Sequence, residues 1–201
     1  MTDTNKKISF KKRMTRDEIN SLSITRYDGA VRIVRTPEAL ENALGKLAGE
    51  TFLGFDTETR PAYRKGQQYP TSLLQLAGKD TIFLFQLGIL GFPESLRNIL
   101  ADPKVAKAGV AIGQDIIKLK ELGDFEEAGF IELADLAKQA RIKNYGLRGL
   151  AALLLGIRIP KGAQQTNWAT ENLTPIQIQY ASTDAWVSRR IYQWFSELGI
   201  L

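Results

Sequence analysis

The sequence predicts one α/β domain whose mixed sheet carries helices on both faces. Three observations point there. Short apolar runs succeed one another in the first half, two of them parted only by Gly78-Lys79-Asp80, as a hairpin requires. Beyond residue 93, strand-like and helix-like stretches alternate, which is the pattern of βα units laid on a sheet. A long helical stretch then closes the chain, and 201 residues suit a single core.

Residues 1–26 are polar, basic and weakly periodic, and are expected to form an arm or loosely packed lead-in, with order beginning near Tyr27. The domain proper is then 27–201. Residues 31–34 (VRIV) suit a short strand. Thr36-Pro37-Glu38 opens an amphipathic helix through Leu40, Leu44 and Leu47, with Thr36 as N-cap and Pro37 in the first turn. Strands are expected at 51–57, 72–77 and 81–87, then helix 93–100, strand 106–110, helix 115–122, strand 130–133 and helix 135–140. An apolar helix at 147–155 and a polar loop at 158–172 precede Thr174-Pro175, which starts a helix running to about residue 198.

Composition excludes whole classes of chemistry. The chain has no Cys and no His, which removes disulfides, thiolate nucleophiles, zinc sites built on thiolate or imidazole, and histidine bases. Catalysis is left to carboxylates, lysine, tyrosine, hydroxyls or oxygen-bound metals. The net charge is +5, and residues 1–26 supply +4 of it through seven basic and three acidic side chains. The longest apolar stretch, 150–155, is far short of the roughly 20 residues that span a bilayer, so no membrane partner is expected. MTDTNKKISF lacks an apolar run behind its lysines, and a cytoplasmic location is the expectation.

Asp56 and Glu58 end the apolar run FLGFDTE, where a two-residue period sends both carboxylates to one face. Taken alone they are also what a strand end with two solvated acids looks like. Asp115, in VAIGQDIIKL, falls where a strand gives way to a helix, a place equally suited to an ordinary first-turn acid. Tyr180 and Asp184 share a face of the last helix, four residues apart. Ile176, Ile178, Ala181, Val187 and Ile191 mark that helix as largely buried, so Asp184 needs a partner. Four acids in a chain without softer ligands can hold two Mg²⁺ or Mn²⁺ ions, which stabilise the attacking and leaving oxygens of a phosphoryl displacement.

At these residues the sequence resembles the DEDD exonucleases of the ribonuclease H-like fold, in the tyrosine-bearing branch typified by ribonuclease D and the Werner syndrome helicase exonuclease domain. FLGFDTETRPAY is similar to that family's first motif, GVAIGQDIIKL to its second and YASTDAW to its third, with LRGLAALLLG, KGAQQTNW and LTPIQIQYASTDA between. The similarity covers roughly 31–195. Ile117 stands where some relatives carry an aromatic residue. The resemblance implies that Asp56, Glu58 and Asp184 bind the ion carrying the attacking water. It also implies that Asp56 bridges to a second ion, that Asp115 holds this one mainly through water, and that Tyr180 positions the nucleophile. The implied substrate is the free 3′ end of RNA or DNA, released as nucleoside monophosphates, with no obligate protein partner.

Arg60, Tyr63, Arg64, Lys65 and Tyr69 follow the first motif with the mixture that phosphate contact and base stacking call for, and a solvated loop has the same composition. Lys161, Gln165, Asn167 and Trp168 precede the third motif and are candidates to flank the scissile phosphate, Trp168 being equally a plug over the core. Trp186 and Trp194 are expected in the core. Two other readings share the fold: a nucleic-acid-binding module without catalysis, against which the complete set of five residues argues, and an endonuclease or strand-transfer enzyme, which the Tyr180-x-x-x-Asp184 spacing fits less well.

Overall fold

Gly78, Lys79 and Asp80 turn the chain between two runs of apolar residues, and the resulting hairpin forms the middle of the sheet. The computed structural model describes residues 10–201. Its strands are β1 (Ala30–Val34), β2 (Phe52–Thr59), β3 (Thr71–Ala77), β4 (Thr81–Gln86), β5 (Ala106–Gly109) and β6 (Phe130–Glu132). They form one sheet in the order β1-β4-β3-β2-β5-β6. β2, β3 and β4 pair antiparallel, whereas β1 joins β4, and β5 and β6 extend from β2, in parallel.

The helices are α1 (Arg16–Ser21), α2 (Pro37–Leu47), α3 (Leu87–Leu90), α4 (Glu94–Ala101), α5 (Gly113–Leu122), α6 (Leu133–Gln139), α7 (Leu147–Leu155) and α8 (Pro175–Glu197). Thr36 caps α2 as expected, and Thr174 caps α8 in a reciprocal box with Gln177. On one face of the sheet, Phe55, Leu74, Leu76 and Phe85 pack with Leu40 of α2, Leu100 of α4 and Leu119 of α5. On the other, Leu73, Ala77 and Leu84 meet Ala181 and Ala185 of α8, while Ala108 meets Leu150 of α7 and Ile191 of α8. Coverage of both faces explains why every residue of β3 is buried and no apolar/polar alternation survives there. Among the described residues no helix is long and apolar enough to cross a membrane.

Three expectations need correction. Residues ahead of Tyr27 are already packed on the domain: the Phe10 ring stands edge-on to Trp194 at 4.9 Å, and the Asn144 amide exchanges two hydrogen bonds with the Met14 backbone, at 2.9 and 3.1 Å. Thr15 and Glu18 close a capping box on α1, and Thr25 N–H donates to the Arg158 carbonyl at 2.8 Å. A polar segment can dock this way because its backbone finds partners even where its side chains are basic. Lys6 and Lys7, which belong to the expected arm, lie outside the described residues. Second, β4 stops at Gln86 and the apolar Leu87–Leu90 turns into the short helix α3, which a run of hydrophobic residues does not distinguish from a strand. Third, Ile176 in the first turn of α8 is 70% exposed, while Gln177 points inward and donates to Thr166 Oγ1 and the Asn167 carbonyl. Trp186 and Trp194 are half-buried against the core.

Candidate active site

Gly54, Asp56 and Glu58 share one face of β2, and α8 lies directly on that face. A Cβ on Gly54 would stand 1.9 Å from the Ala185 carbonyl oxygen and 2.8 Å from the Arg189 nitrogen, so only glycine admits so close an approach. Asp184, one residue before Ala185, thereby arrives beside Asp56, and Tyr180 follows one turn earlier. The ladder between β2 and β3 slips between Glu58 and Thr59, a bulge at the end of the acidic strand of the kind that re-aims side chains.

Thr57 has the opposite parity, and its hydroxyl donates to Asp115 Oδ1 at 2.6 Å. Asp115 sits in the first turn of α5, which starts two residues earlier than expected. The chain reaches that helix through Ala111, a non-glycine residue held at φ 61°, a strained conformation of the kind that gathers at functional sites. Asp56 Oδ1 accepts from the Thr57 N–H at 2.9 Å.

Asp56, Glu58, Asp115, Tyr180 and Asp184 all line one cavity of about 760 Å³, with Lys161 and Gln165 at its wall. Glu58 and Asp184 are buried, and Asp56 and Asp115 are half-buried. Burial, reinforced by Asp56, Asp184 and Asp115, pushes the Glu58 carboxyl up to about 10. Burial likewise raises Asp56 well above the carboxylate range, with the charges of Asp184 and Asp115 adding to it. Asp184 is pushed up to about 7 by burial, against the opposing pull of the Tyr180 hydroxyl and Arg148. Asp115 is raised by burial while the Thr57 hydroxyl holds it down. Burial and the neighbouring carboxylates also raise Tyr180, so its phenol keeps its proton.

None of the four acids forms an ion pair among the described residues. Such a set of mutually repelling oxygen donors is chemically suited to a hard divalent cation, which would reverse the burden on each carboxylate. Among the described residues no three acids are already arranged to hold an ion. Asp56, Glu58, Asp115 and Asp184 are the residues that could do so.

The expected substrate residues divide. Lys161 lines the cavity. Arg60 and Tyr63 do not: Arg60 stacks over the Tyr69 ring at 4.6 Å, while Tyr63, 79% exposed, donates its hydroxyl to the Gln165 carbonyl at 3.2 Å and joins its loop to the cavity wall. Asn167 lies outside the cavity and accepts from the Ala169 N–H at 3.2 Å. Trp168 is 1% exposed and packs behind Tyr180, ring centroids 6.1 Å apart, so it is a core residue and not a substrate contact. Its indole is large enough to fill the space between α8 and the sheet, which outweighs its place in a polar loop. Sequence reasoning missed Thr57, whose position between two acids was the available signal, and Arg148, hidden in an apolar helix. It also missed Gln75, which pairs directly across from Asp56 and whose buried amide has no partner among the described residues.

A family model of 3′-5′ exonucleases matches residues 31–199. The chain is 32% identical over 160 residues to the bifunctional 3′-5′ exonuclease/ATP-dependent helicase WRN of Mus musculus, covering 77% of this chain and 11% of that protein. It is 29% identical to ribonuclease D of Haemophilus influenzae over 164 residues, 80% of this chain and 40% of the relative. The chain thus spans less than half the length of either. The Nibbler EXO domain of Aedes aegypti superimposes with a TM-score of 0.76 at 20% identity, covering 88% of this chain and 93% of that one, a likeness of fold. The ribonuclease H-like architecture and the span of the family match agree, and the chain belongs to the 3′-5′ exonuclease family.

Proposed function

We propose that the protein hydrolyses phosphodiester bonds one at a time from the free 3′ end of a nucleic acid strand, with divalent metal ions on its four acids. The observation that carries this is the meeting of Asp56, Glu58, Asp115, Asp184 and Tyr180 in one cavity, from three elements far apart in sequence. Mg²⁺ or Mn²⁺, two ions in this reading, would supply polarisation of the phosphodiester and an acidified water when bound there.

The chain's own residues supply the rest. Asp56, Glu58 and Asp184 would provide oxygen donors to the ions, as would Asp115, fixed by the Thr57 hydroxyl. Tyr180, whose phenol burial and the neighbouring carboxylates hold protonated before any ion binds, would position the attacking water. Water adds to phosphorus, the bond to the 3′ oxygen of the preceding nucleotide breaks, that oxygen takes up a proton, and a nucleoside 5′-monophosphate leaves. Lys161 at the wall and Tyr63 on the adjoining loop are placed to meet phosphate and base outside the reacting centre.

Matched, labelled RNA and DNA with recessed, blunt or overhanging 3′ ends test the reading and define the natural substrate. Stepwise shortening from the 3′ end with Mg²⁺ or Mn²⁺ is expected, and shortening undiminished by excess EDTA would overturn the metal's part in it.

A further inference from the structure

Among the residues lining the catalytic cavity only two are cationic, Arg148 and Lys161. Arg148 lies in the first turn of α7, close enough to Asp184 for that carboxylate's charge to bear on its own. Its Nη1 is inaccessible to solvent and has no hydrogen-bond partner. Other arginines with a buried, unpartnered nitrogen engage a different guanidinium nitrogen. Arg97 Nη1 donates to the Asp124 carbonyl, Arg158 Nη1 to the Asn20 carbonyl, and Arg35 Nη1 to Asn172. Arg189, also buried, pairs with Glu50 at 3.0 Å and stacks over Phe52. Among the described residues Arg148 has no such hydrogen bond and no ion pair, although it stands beside Asp184.

The helix start that carries Arg148 is held firmly. A Cβ on the next residue, Gly149, would come within 2.8 Å of Asn144 Cβ, and Asn144 is itself bonded both ways to the Met14 backbone. A guanidinium that lines the cavity on a firmly held helix start, half-buried and without a protein partner, is available to an anion that enters the cavity. Its planar fork matches two phosphate oxygens. Of the two cations that line the cavity, Arg148 is half-buried and Lys161 exposed.

Resting on the exonuclease reading above, we propose that Arg148 binds the scissile phosphate, the group that leaves as the 5′-phosphate of the released nucleotide. It acts on the phosphate oxygens directly and is therefore a substrate-binding residue of the reacting centre. Contact with the product persists, because the phosphate it grips stays on the nucleotide.

Calorimetric binding of adenosine 5′-monophosphate and of adenosine, both with Mn²⁺, tests this without requiring turnover. The intact protein should bind the monophosphate more tightly than the nucleoside. Arg148→Gln should weaken the monophosphate about 10- to 100-fold, the range for a hydrogen-bonded charged group, and leave adenosine unchanged. Arg148→Lys, which keeps the charge without the fork, should lie between and answers the question if the Gln variant does not fold. Equal weakening of both ligands would make Arg148 structural, and an unchanged monophosphate affinity would remove it from the site; either overturns the proposal. Hydrolysis of a 3′-ended oligonucleotide by the intact protein is measured alongside. Its absence would reject the exonuclease reading while leaving the binding result to judge Arg148 separately.

Discussion

Gly54 and Ala185 touch so closely that the missing Cβ of one would lie 1.9 Å from the carbonyl oxygen of the other. That contact sets α8 on β2 and so fixes Asp184 and Tyr180 relative to Asp56 and Glu58. Gly54→Ala must push α8 away or fail to fold. We expect a loss of about 3 kcal/mol or more in denaturant unfolding, and loss of activity in whatever protein remains folded.

The pH dependence of stability has a defined sign. Asp184 and Glu58 have folded values raised to about 7 and about 10, above their unfolded values, so the metal-free folded state binds more protons than the unfolded one. Stability from this source is complete below about pH 4 and is lost as pH rises through the folded values. Thermal unfolding of the EDTA-treated protein should therefore fall between pH 5 and pH 8, by more than in Asp184→Asn. Divalent cations should raise the midpoint, and by more at pH 8 than at pH 5.5. A midpoint that rises with pH in the absence of metal would contradict the burial of these acids.

In the proposed mechanism Tyr180, which lies beside Asp184, positions the attacking water. Tyr180→Phe should lower kcat by about 10²- to 10⁴-fold, the range for a positioned acid-base group, with metal and oligonucleotide affinity retained. A change confined to KM would make the hydroxyl a structural feature of α8.

Residues 1–26 were expected to form an arm or loosely packed lead-in, yet residues 10–26 pack on α7 and the approach to α8. Phe10→Ala removes the edge-on contact with Trp194 and should cost about 1–2 kcal/mol in unfolding, with the salt dependence of oligonucleotide binding unaltered. A flattened salt slope with full stability would show instead that this segment contacts nucleic acid.

The sheet and its helices were legible because short apolar runs parted by turn residues mark β3 and β4, and α2 and α8 announce themselves with Thr-Pro starts. The acids were legible as types and spacings, Asp56 with Glu58 and Tyr180 with Asp184. Trp168 was not, since a tryptophan in a polar loop looks the same whether it faces solvent or folds back under Tyr180. The docking of residues 10–26 escaped for a related reason. It rests on backbone hydrogen bonds to Asn144 and Arg158, and backbone partners leave no mark on composition. The Thr15-x-x-Glu18 box was a local signal that net charge obscured. Arg148 could be found only once three dimensions showed that every comparable arginine had a partner and it had none.

The central claim is that four carboxylates in one cavity support metal-dependent hydrolysis from a 3′ end. A 5′-labelled linear strand and a circle of the same sequence, each incubated with the protein and Mn²⁺, test it most directly. The account predicts a descending ladder from the linear strand, an intact circle, no reaction in EDTA, and loss of at least about 10³-fold in rate for Asp56→Asn and Asp184→Asn, the two positions proposed to hold the ion. Cleavage of the circle, or near-normal rates in either variant, would contradict it.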